Sequence, residues 1–263
     1  MGIDYYASIN KKFYISIKTT LDGYGYVSLF DENGKTLLLD IKSSYEIGGT
    51  RGAVSNDGKL FATAAYSRKG IDLRNINGNL IWNNKEIKKI QGLAFSSDNQ
   101  YLYVWNGDEP QHTYYVRISD GVVERRIVAS WVQPSLCSSD LIFYKADTLI
   151  IDSKKIKAPT FCFLDVTATK EGICVSPVCE KLVMYNHYGK LLWKSNFVKG
   201  NKEDHIIQLI SDESYIYGLS LNNIVYRISI KEGTSEVIKN NIKFIINDKN
   251  YIDTNDVFTT ISK

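Results

Sequence analysis

Two short polar segments hold the residue types most suited to chemistry. The segment VWNGDEPQH contributes Trp105, Asp108, Glu109 and His112, and KGNKEDHI places His205 directly after two carboxylates. A histidine beside carboxylates can act in general acid–base catalysis or bind a metal ion. An exposed Trp among charged residues is instead typical of a protein interface. Each side chain also has a purely structural interpretation. Trp105 could pack within the fold, and His205 could stabilise the fold through hydrogen bonds.

A second group combines arginine with tyrosine. Arg51 and Arg68 fall close in sequence to Tyr45 and Tyr66, in segments that we predict to be loops. Arg and Tyr form cation–π contacts and anchor interfaces, although they could also hold a phosphate or form a solvated surface. A net charge of +3 over 263 residues, with basic residues scattered along the chain, does not predict a nucleic-acid-binding stripe.

The sequence contains no recognisable catalytic or metal motif. It lacks G-x-S-x-G, H-E-x-x-H, a Walker loop and G-x-G-x-x-G, and it has only three His. The cysteines form no C-x-x-C pair, so we expect reduced, buried thiols; they are Cys137, Cys162, Cys174 and Cys179. Several carboxylates could share one face but lack calcium-loop spacing; they are Asp22, Asp108, Asp147 and Asp204. We therefore predict no catalytic residue, no metal and no cofactor.

The composition is that of a globular protein, with 44% hydrophobic and 23% charged residues. The first residues lack a basic segment followed by an apolar one, and no apolar run approaches the ~20 residues of a membrane helix. We expect a cytoplasmic location and no membrane partner.

The elements that would position these residues are strands joined by two kinds of turn. Polar turns ending in glycine recur at steps of 44, 43, 68 and 44 residues; the glycines are Gly34, Gly78, Gly121, Gly189 and Gly233. A weaker turn at Ser153, in TLIIDSKKIK, divides the long step into 32 and 36. Ser- and Asp-rich turns lie about 22 residues before several of the glycines. A step near 43 is typical of a four-stranded propeller blade, and no segment has a helical period.

These turns resemble those of the WD-repeat-like and quinoprotein-type β-propeller superfamily. AVSNDGKLFATA and LAFSSDNQYLYV resemble its first hairpin, and NGNLIW and YGKLLW resemble the Trp-bearing turn of quinoprotein-type repeats. The Trp-Asp dipeptide and Gly-His pair of true WD repeats are absent, so the resemblance is to an architecture. It implies an all-β single domain over residues 1–263, a β-propeller of four-stranded antiparallel blades. Seven blades fit the strand count best, and six are the alternative.

The strands of a blade are labelled a to d from the centre outward. Because successive strands are antiparallel, the connections between them alternate between two faces of the propeller. The a–b and c–d turns are short and repetitive, and we call their side the short-turn face. The b–c loops and the d–a links differ in length and chemistry, and we call their side the variable face. Because loops on a rigid scaffold often carry function, we predict that the variable face binds a partner. Its predicted contact residues are Tyr45, Arg51, Tyr66, Arg68, Trp105, Asp108, Glu109 and His205.

The resulting functional hypothesis is a non-catalytic propeller that binds another protein through preformed loops. The Asn-, Lys- and Ile-rich composition resembles that of small bacterial proteins, which suggests a finer hypothesis: an immunity protein that neutralises a toxin. The alternative is a propeller hydrolase or lyase with its site at the channel mouth. We also predict that Trp82 and Trp193, which follow matched glycines, pack between blades.

Overall fold

The structure is a computed structural model in which the chain divides into two compact units. One unit is residues 1–136 with 143–145, and the other is residues 137–142 with 146–263. No membrane-spanning helix occurs in the part of the chain that the structure describes. The predicted single domain over 1–263 stays a prediction. The described residues are 2–21, 23–46, 50–66, 70–107, 110–129, 131–134, 141–145, 148–151, 154–157, 163–177, 182–195 and 205–260.

The described residues form strands and turns, and the first twelve strands make three four-stranded sheets, blades 1 to 3. Blade 1 contains β1 Ile3–Ala7, β2 Phe13–Thr19, β3 Tyr24–Asp31 and β4 Thr36–Glu46. Blade 2 contains β5 Thr50–Val54, β6 Leu60–Ala65, β7 Ile71–Asn75 and β8 Leu80–Asn84. Blade 3 contains β9 Ile90–Phe95, β10 Tyr101–Asn106, β11 His112–Arg117 and β12 Val123–Val128.

The remaining strands make three more four-stranded sheets, blades 4 to 6, and a three-stranded C-terminal sheet. Blade 4 contains β13 Trp131–Pro134, β14 Leu141–Lys145, β15 Thr148–Ile151 and β16 Lys154–Lys157. Blade 5 contains β17 Phe163–Ala168, β18 Gly172–Pro177, β19 Val183–Asn186 and β20 Leu191–Lys194. Blade 6 contains β21 Ile206–Ser211, β22 Tyr215–Ser220, β23 Val225–Ser229 and β24 Ser235–Lys239. The last sheet contains β25 Ile242–Ile245, β26 Asn250–Asp253 and β27 Phe258–Thr260.

In every sheet each strand is hydrogen-bonded to its neighbours in chain order. This meander confirms the predicted four-stranded antiparallel blades. The predicted turns fall where expected: SNDGK joins β5 to β6, NINGN joins β7 to β8, and YSRKG lies between β6 and β7. The weak repeat TLIIDSKKIK supplies β15 and β16. Its turn residue Ser153 lies outside the described residues.

The apolar faces of consecutive blades pack against each other within each unit. Between blades 2 and 3, Leu73 belongs to the same buried cluster as Leu102 and Val116. Between blades 5 and 6, Met184 shares a cluster with Ile216. Because side chains alternate across a strand, one row of apolar residues can face each neighbouring blade.

The short turns of blades 2 and 3 have the same hydrogen-bonded geometry. Ser55 donates its hydroxyl to Asp57 at 2.7 Å, and its oxygen accepts the N–H of Leu60 at 3.0 Å. In blade 3, Ser96 donates to Asp98 at 2.6 Å and accepts the N–H of Tyr101 at 2.9 Å. These bonds satisfy the backbone amides of the turn, as the Ser- and Asp-rich sequences predict.

The a–b turn of blade 1 repeats this geometry with a less favourable residue. Its residue Lys11 has φ of +61°, and the equivalent residues of blades 2 and 3 are Gly58 at +67° and Asn99 at +57°. Gly takes a positive φ without steric cost, whereas an L residue with a β-carbon is strained there.

Replacing Lys11 by Gly is therefore expected to raise the free energy of unfolding by about 0.5 kcal/mol, because relief of strain exceeds the added chain entropy. Urea denaturation followed by circular dichroism would measure the change. The matched control is Lys12→Gly in the same turn, where φ is not positive. That variant should be less stable than the parent chain, and a stabilisation equal to that of Lys11→Gly would contradict the argument.

A tryptophan on the outermost strand of one blade contacts the c–d turn of the next. Trp82 donates its indole N–H to the carbonyl of Ile118 at 2.8 Å, and Trp193 donates to that of Ile230 at 2.7 Å. A β-carbon built on Gly121 would lie 2.8 Å from the Trp82 ring, and one on Gly233 would lie 2.7 Å from the Trp193 ring. The predicted packing of both tryptophans between blades is confirmed.

A charged cluster is buried between blades 1 and 2. Asp72 is 1% exposed, and its carboxylate accepts hydrogen bonds from Arg74 at 3.2 Å and from the Asn83 side chain at 2.6 Å. Arg74 also donates to Ser44 of blade 1 at 3.0 Å and to the carbonyl of Gly78 at 2.9 Å. The cluster thus holds the c strand of blade 2 against the d strand of blade 1.

Candidate functional site

Hydrogen bonds between neighbouring blades define the two faces of the first unit. The a–b turns of blades 1 to 3 are joined by Asn10, Asn56 and Asn99. The Asn10 side chain donates to the Asn56 carbonyl at 2.6 Å, and the Asn56 N–H donates to the Asn99 side chain at 3.0 Å. These turns therefore share one face, the short-turn face. The b–c loops and the starts of the a strands lie at the opposite ends of the same strands, on the variable face.

Arg51 ties three inner strands together on the variable face. It lies in β5, and its Nε–H donates to the carbonyl of Gln91 in β9 at 2.9 Å. Its guanidinium also lies close enough to the hydroxyl of Tyr6 in β1 to interact with it electrostatically. Burial and the nearby Asp4 carboxylate raise the pKa of Tyr6, and Arg51 partly opposes that shift. Arg51 therefore fixes the starts of neighbouring blades while remaining half-buried.

Trp105 packs beside this contact. It pairs with Gly92 across β10 and β9, and a β-carbon built on Gly92 would lie only 1.9 Å from the indole ring. The indole therefore covers the position where any other residue would place its side chain. Since Gln91 and Gly92 are adjacent, the structure brings Arg51 and Trp105 to consecutive residues of β9. Trp105 is half-buried. It therefore packs within the fold, as the structural interpretation predicts, and part of its ring still reaches the surface.

Two apolar side chains of the variable face are exposed to solvent. Tyr66 follows β6 and is 44% exposed; the preceding residue, Ala65, pairs with Thr50, which is adjacent to Arg51. Leu21 lies between β2 and β3 and is 91% exposed. Large exposed apolar residues on fixed loops are typical of interaction surfaces when they occur close together.

The structure describes the other predicted contact residues only in part. His205 directly precedes β21 in the second unit and is half-buried, and its backbone carbonyl accepts the N–H of Leu221 at 2.9 Å. Tyr45 lies in β4, but its side chain is outside the described part of the structure. Also outside the described residues are Arg68, Asp108 and Glu109. The structure thus places Arg51 and Trp105 against consecutive residues of β9, and Tyr66 one residue beyond the strand pair next to Arg51.

Sequence reasoning missed four participants: Asp4, Tyr6, Leu21 and Gln91. One signal was available for the contact beneath Trp105, because an isolated glycine within a strand, as in IQGLAF, indicates close approach by another group. The Tyr6–Arg51 contact joins residues 45 positions apart and has no local signature.

The structure describes one of the four cysteines and none of the four aspartates named above as possible calcium ligands. Cys174 is a free, buried thiol in β18, and burial, with a smaller effect of Asp165, raises its pKa. No group of three His, Cys, Asp or Glu among the described residues could hold a metal ion. Other residues named in the sequence analysis lie outside the described ranges: Asp22, Asp147, Asp204, Cys137, Cys162 and Cys179.

Comparison with solved structures identifies the architecture. The β-propeller domain of Cps50 (Swd1) from Myceliophteria thermophila superimposes with a TM-score of 0.71, covering 97% of this chain and 96% of that one at 10% identity. The chain is a β-propeller. The propeller also resembles the computationally designed Ika8 protein, with a TM-score of 0.61, 12% identity, and coverage of 94% of this chain and 79% of the other. No protein-family model and no curated protein matches the sequence.

The predicted β-propeller architecture is therefore confirmed. The part of the propeller that the structure describes has six four-stranded blades, the smaller of the two predicted counts, followed by the three-stranded sheet. Sequence identities of 10% and 12% support a shared fold and nothing about function. Function therefore has to be argued from this chain's own surface.

Proposed function

We propose that this propeller is a non-catalytic binding protein that holds a partner protein against the variable face of its first unit. The observation that carries the proposal is the exposure of Leu21 and Tyr66 on the face where Arg51 and Trp105 contact consecutive residues of β9. Tyr, Trp and Arg are the residue types that contribute most to protein interfaces.

The described residues around Leu21 and Arg51 are held by hydrogen bonds before any partner binds. Around Leu21, the Thr20 N–H donates to the Tyr24 carbonyl at 3.2 Å, and the Gly23 N–H donates to the Thr20 carbonyl at 3.2 Å. Arg51 fixes the inner strands in the same way. A surface that is already ordered loses little conformational entropy on binding, so more of its contact energy appears as affinity.

The test is affinity capture from the native host with a double variant as the second bait. Leu21→Ser with Tyr66→Ala is expected to reduce capture of a stoichiometric partner at least tenfold, because both changes remove exposed apolar contacts. The readout is quantitative mass spectrometry, followed by calorimetry with the purified partner. Both substituted side chains are exposed, so the variant should fold as the parent chain does.

The matched control places the same substitutions elsewhere on the surface. Leu39→Ser with Tyr188→Ala changes a leucine that is 62% exposed and a tyrosine that is 81% exposed. Leu39 is on β4 and Tyr188 in the c–d turn of blade 5, away from the b–c loops. Capture should survive this change. A partner lost equally from both variants, or from neither, would rule out the variable face as the binding surface.

Two finer hypotheses depend on knowing the partner. A toxin as the captured protein would make this propeller an inhibitor of the immunity type, and a cytoplasmic partner would support the predicted location. Both stay sequence-based hypotheses, motivated by the Asn-, Lys- and Ile-rich composition. Capture of a partner other than a toxin would dismiss the inhibitor role and leave the binding role intact.

A further inference from the structure

The link between β8 and β9 forms a basic segment on the variable face. Its sequence, NKEIKK over residues 84–89, contains three lysines and one glutamate, so it carries a net positive charge. All four of these charged side chains are exposed. Neither Lys85 nor Lys88 forms an ion pair or hydrogen bond with any side chain that the structure describes.

The backbone of this link is fixed at both ends. The Asn84 side chain accepts the N–H of Glu86 at 2.9 Å and donates to the carbonyl of Gly121 in blade 3 at 2.9 Å. Ile87 is 2% exposed and belongs to the core between blades 2 and 3. At the far end, the carbonyl of Lys89 accepts the N–H of Gly107 at 2.9 Å. The exposed lysines therefore project from an ordered backbone.

The link adjoins the residues of the candidate site. A β-carbon built on Gly70, which precedes β7, would lie 2.0 Å from the Asn84 carbonyl oxygen, so Gly70 touches the link. Gln91, two residues after the link, accepts the Arg51 hydrogen bond. The backbone of the link thus touches Gly70, four residues after the exposed Tyr66, and is followed within two residues by the carbonyl that Arg51 contacts.

We propose that the partner presents an acidic peptide segment to Lys85, Lys88 and Arg51. This inference rests on the proposed function and names the chemistry of the partner at that same surface. The charge of the link is complementary to carboxylates, and like-charged partners are repelled. Lysine ammonium groups held on an ordered backbone attract an anionic segment at long range, and the adjoining Tyr66 provides apolar contact.

The neighbouring charges favour a peptide over a nucleic acid or a lipid surface. Glu86 lies within the link and Asp4 lies beside Arg51 and Tyr6, and both carboxylates are exposed. A phosphate polymer, with a charge at every unit, would meet these carboxylates along its path and be repelled. A peptide can place its acidic residues opposite the lysines and leave neutral residues opposite the carboxylates.

The first test uses a labelled 20-residue peptide of repeating Glu-Gly-Ser-Gly units, whose carboxylates are separated by neutral residues, and fluorescence anisotropy at low salt. Lys85→Gln with Lys88→Gln is expected to weaken binding three- to tenfold, with the difference shrinking as salt is added. The matched control is Lys12→Gln with Lys35→Gln, which removes the same charge from exposed lysines on the short-turn face. Equal weakening by both pairs, or no binding by the parent chain, would overturn the proposal.

Two further probes separate this proposal from its rivals and from the proposed function. If a 20-residue oligothymidylate or vesicles with anionic headgroups bound more tightly than the peptide and showed the same lysine dependence, the acidic peptide would be the wrong partner chemistry. In the capture experiment, a partner lost with Tyr66→Ala but retained with Lys85→Gln and Lys88→Gln would refute the acidic segment while leaving the binding function standing.

Discussion

Replacing Asp72 by Asn is expected to lower the free energy of unfolding by about 3–5 kcal/mol, because it breaks a buried ion pair from one side. The Asp72 side chain is 1% exposed and that of Arg74 is 15% exposed, with 3.2 Å between Oδ2 and the guanidinium nitrogen. Asn retains the shape but loses the negative charge, so the guanidinium stays in a low-dielectric site without its counter-charge.

Chemical denaturation would measure this loss, and Glu213→Gln is the matched surface control. Glu213 forms a 3.1 Å ion pair with Lys170, with side chains 85% and 71% exposed. Exposed pairs contribute little, so about 0.5 kcal/mol or less is expected for the control. Asp72→Asn combined with Arg74→Met should recover part of the stability, since removing both charges leaves neither buried alone. Equal stability of Asp72→Asn and the control would contradict the argument.

Replacing Trp82 or Trp193 by Ala is expected to cost about 2–4 kcal/mol in each case, slightly below the range for fully buried tryptophans because both rings are half-buried. Each substitution removes a ring packed on a glycine of the next blade and an indole hydrogen bond. The two positions are equivalent in their blades, so their losses should be similar.

Replacement by phenylalanine separates the contribution of ring packing from that of the indole hydrogen bond. Trp82→Phe and Trp193→Phe keep an aromatic ring against the glycine but remove the N–H donor, so roughly 1–2 kcal/mol is expected from the unpaired carbonyl and the lost contact area. Differential scanning calorimetry on all four variants would provide the comparison. An Ala variant no less stable than its Phe counterpart would show that the ring does not hold neighbouring blades together.

Arg51 and Trp105 also stabilise the scaffold, and this affects how variants at these two positions should be interpreted. Arg51 hydrogen-bonds Gln91 of β9 and interacts electrostatically with Tyr6 of β1, and Trp105 covers Gly92. Substituting either would disturb the scaffold as well as the surface, so a lost partner would have two explanations. Leu21, Tyr66, Lys85 and Lys88 are exposed, which makes them the cleaner probes of binding.

The periodic features of this protein were readable from its sequence because they are local. The step near 43 residues and the polar turns with Gly or Ser–Asp predicted four-stranded antiparallel blades, since each turn satisfies its own backbone within a few residues. Trp82 and Trp193 could be predicted to pack between blades because each follows a matched glycine by four residues. The resemblance to propeller repeats then supplied the arrangement of strands.

The candidate site depends on contacts that no local pattern encodes. Arg51 interacts with residues 45 positions before it and 40 positions after it, and the β8–β9 link adjoins the site because Gly70 and blade 3 both contact it. The sequence by itself determined which residues form strands and which turns close them, through hydrogen bonds and dihedral preferences a few residues long. Only the tertiary structure decided which side chains of different blades share a surface, because packing of successive blades sets those distances.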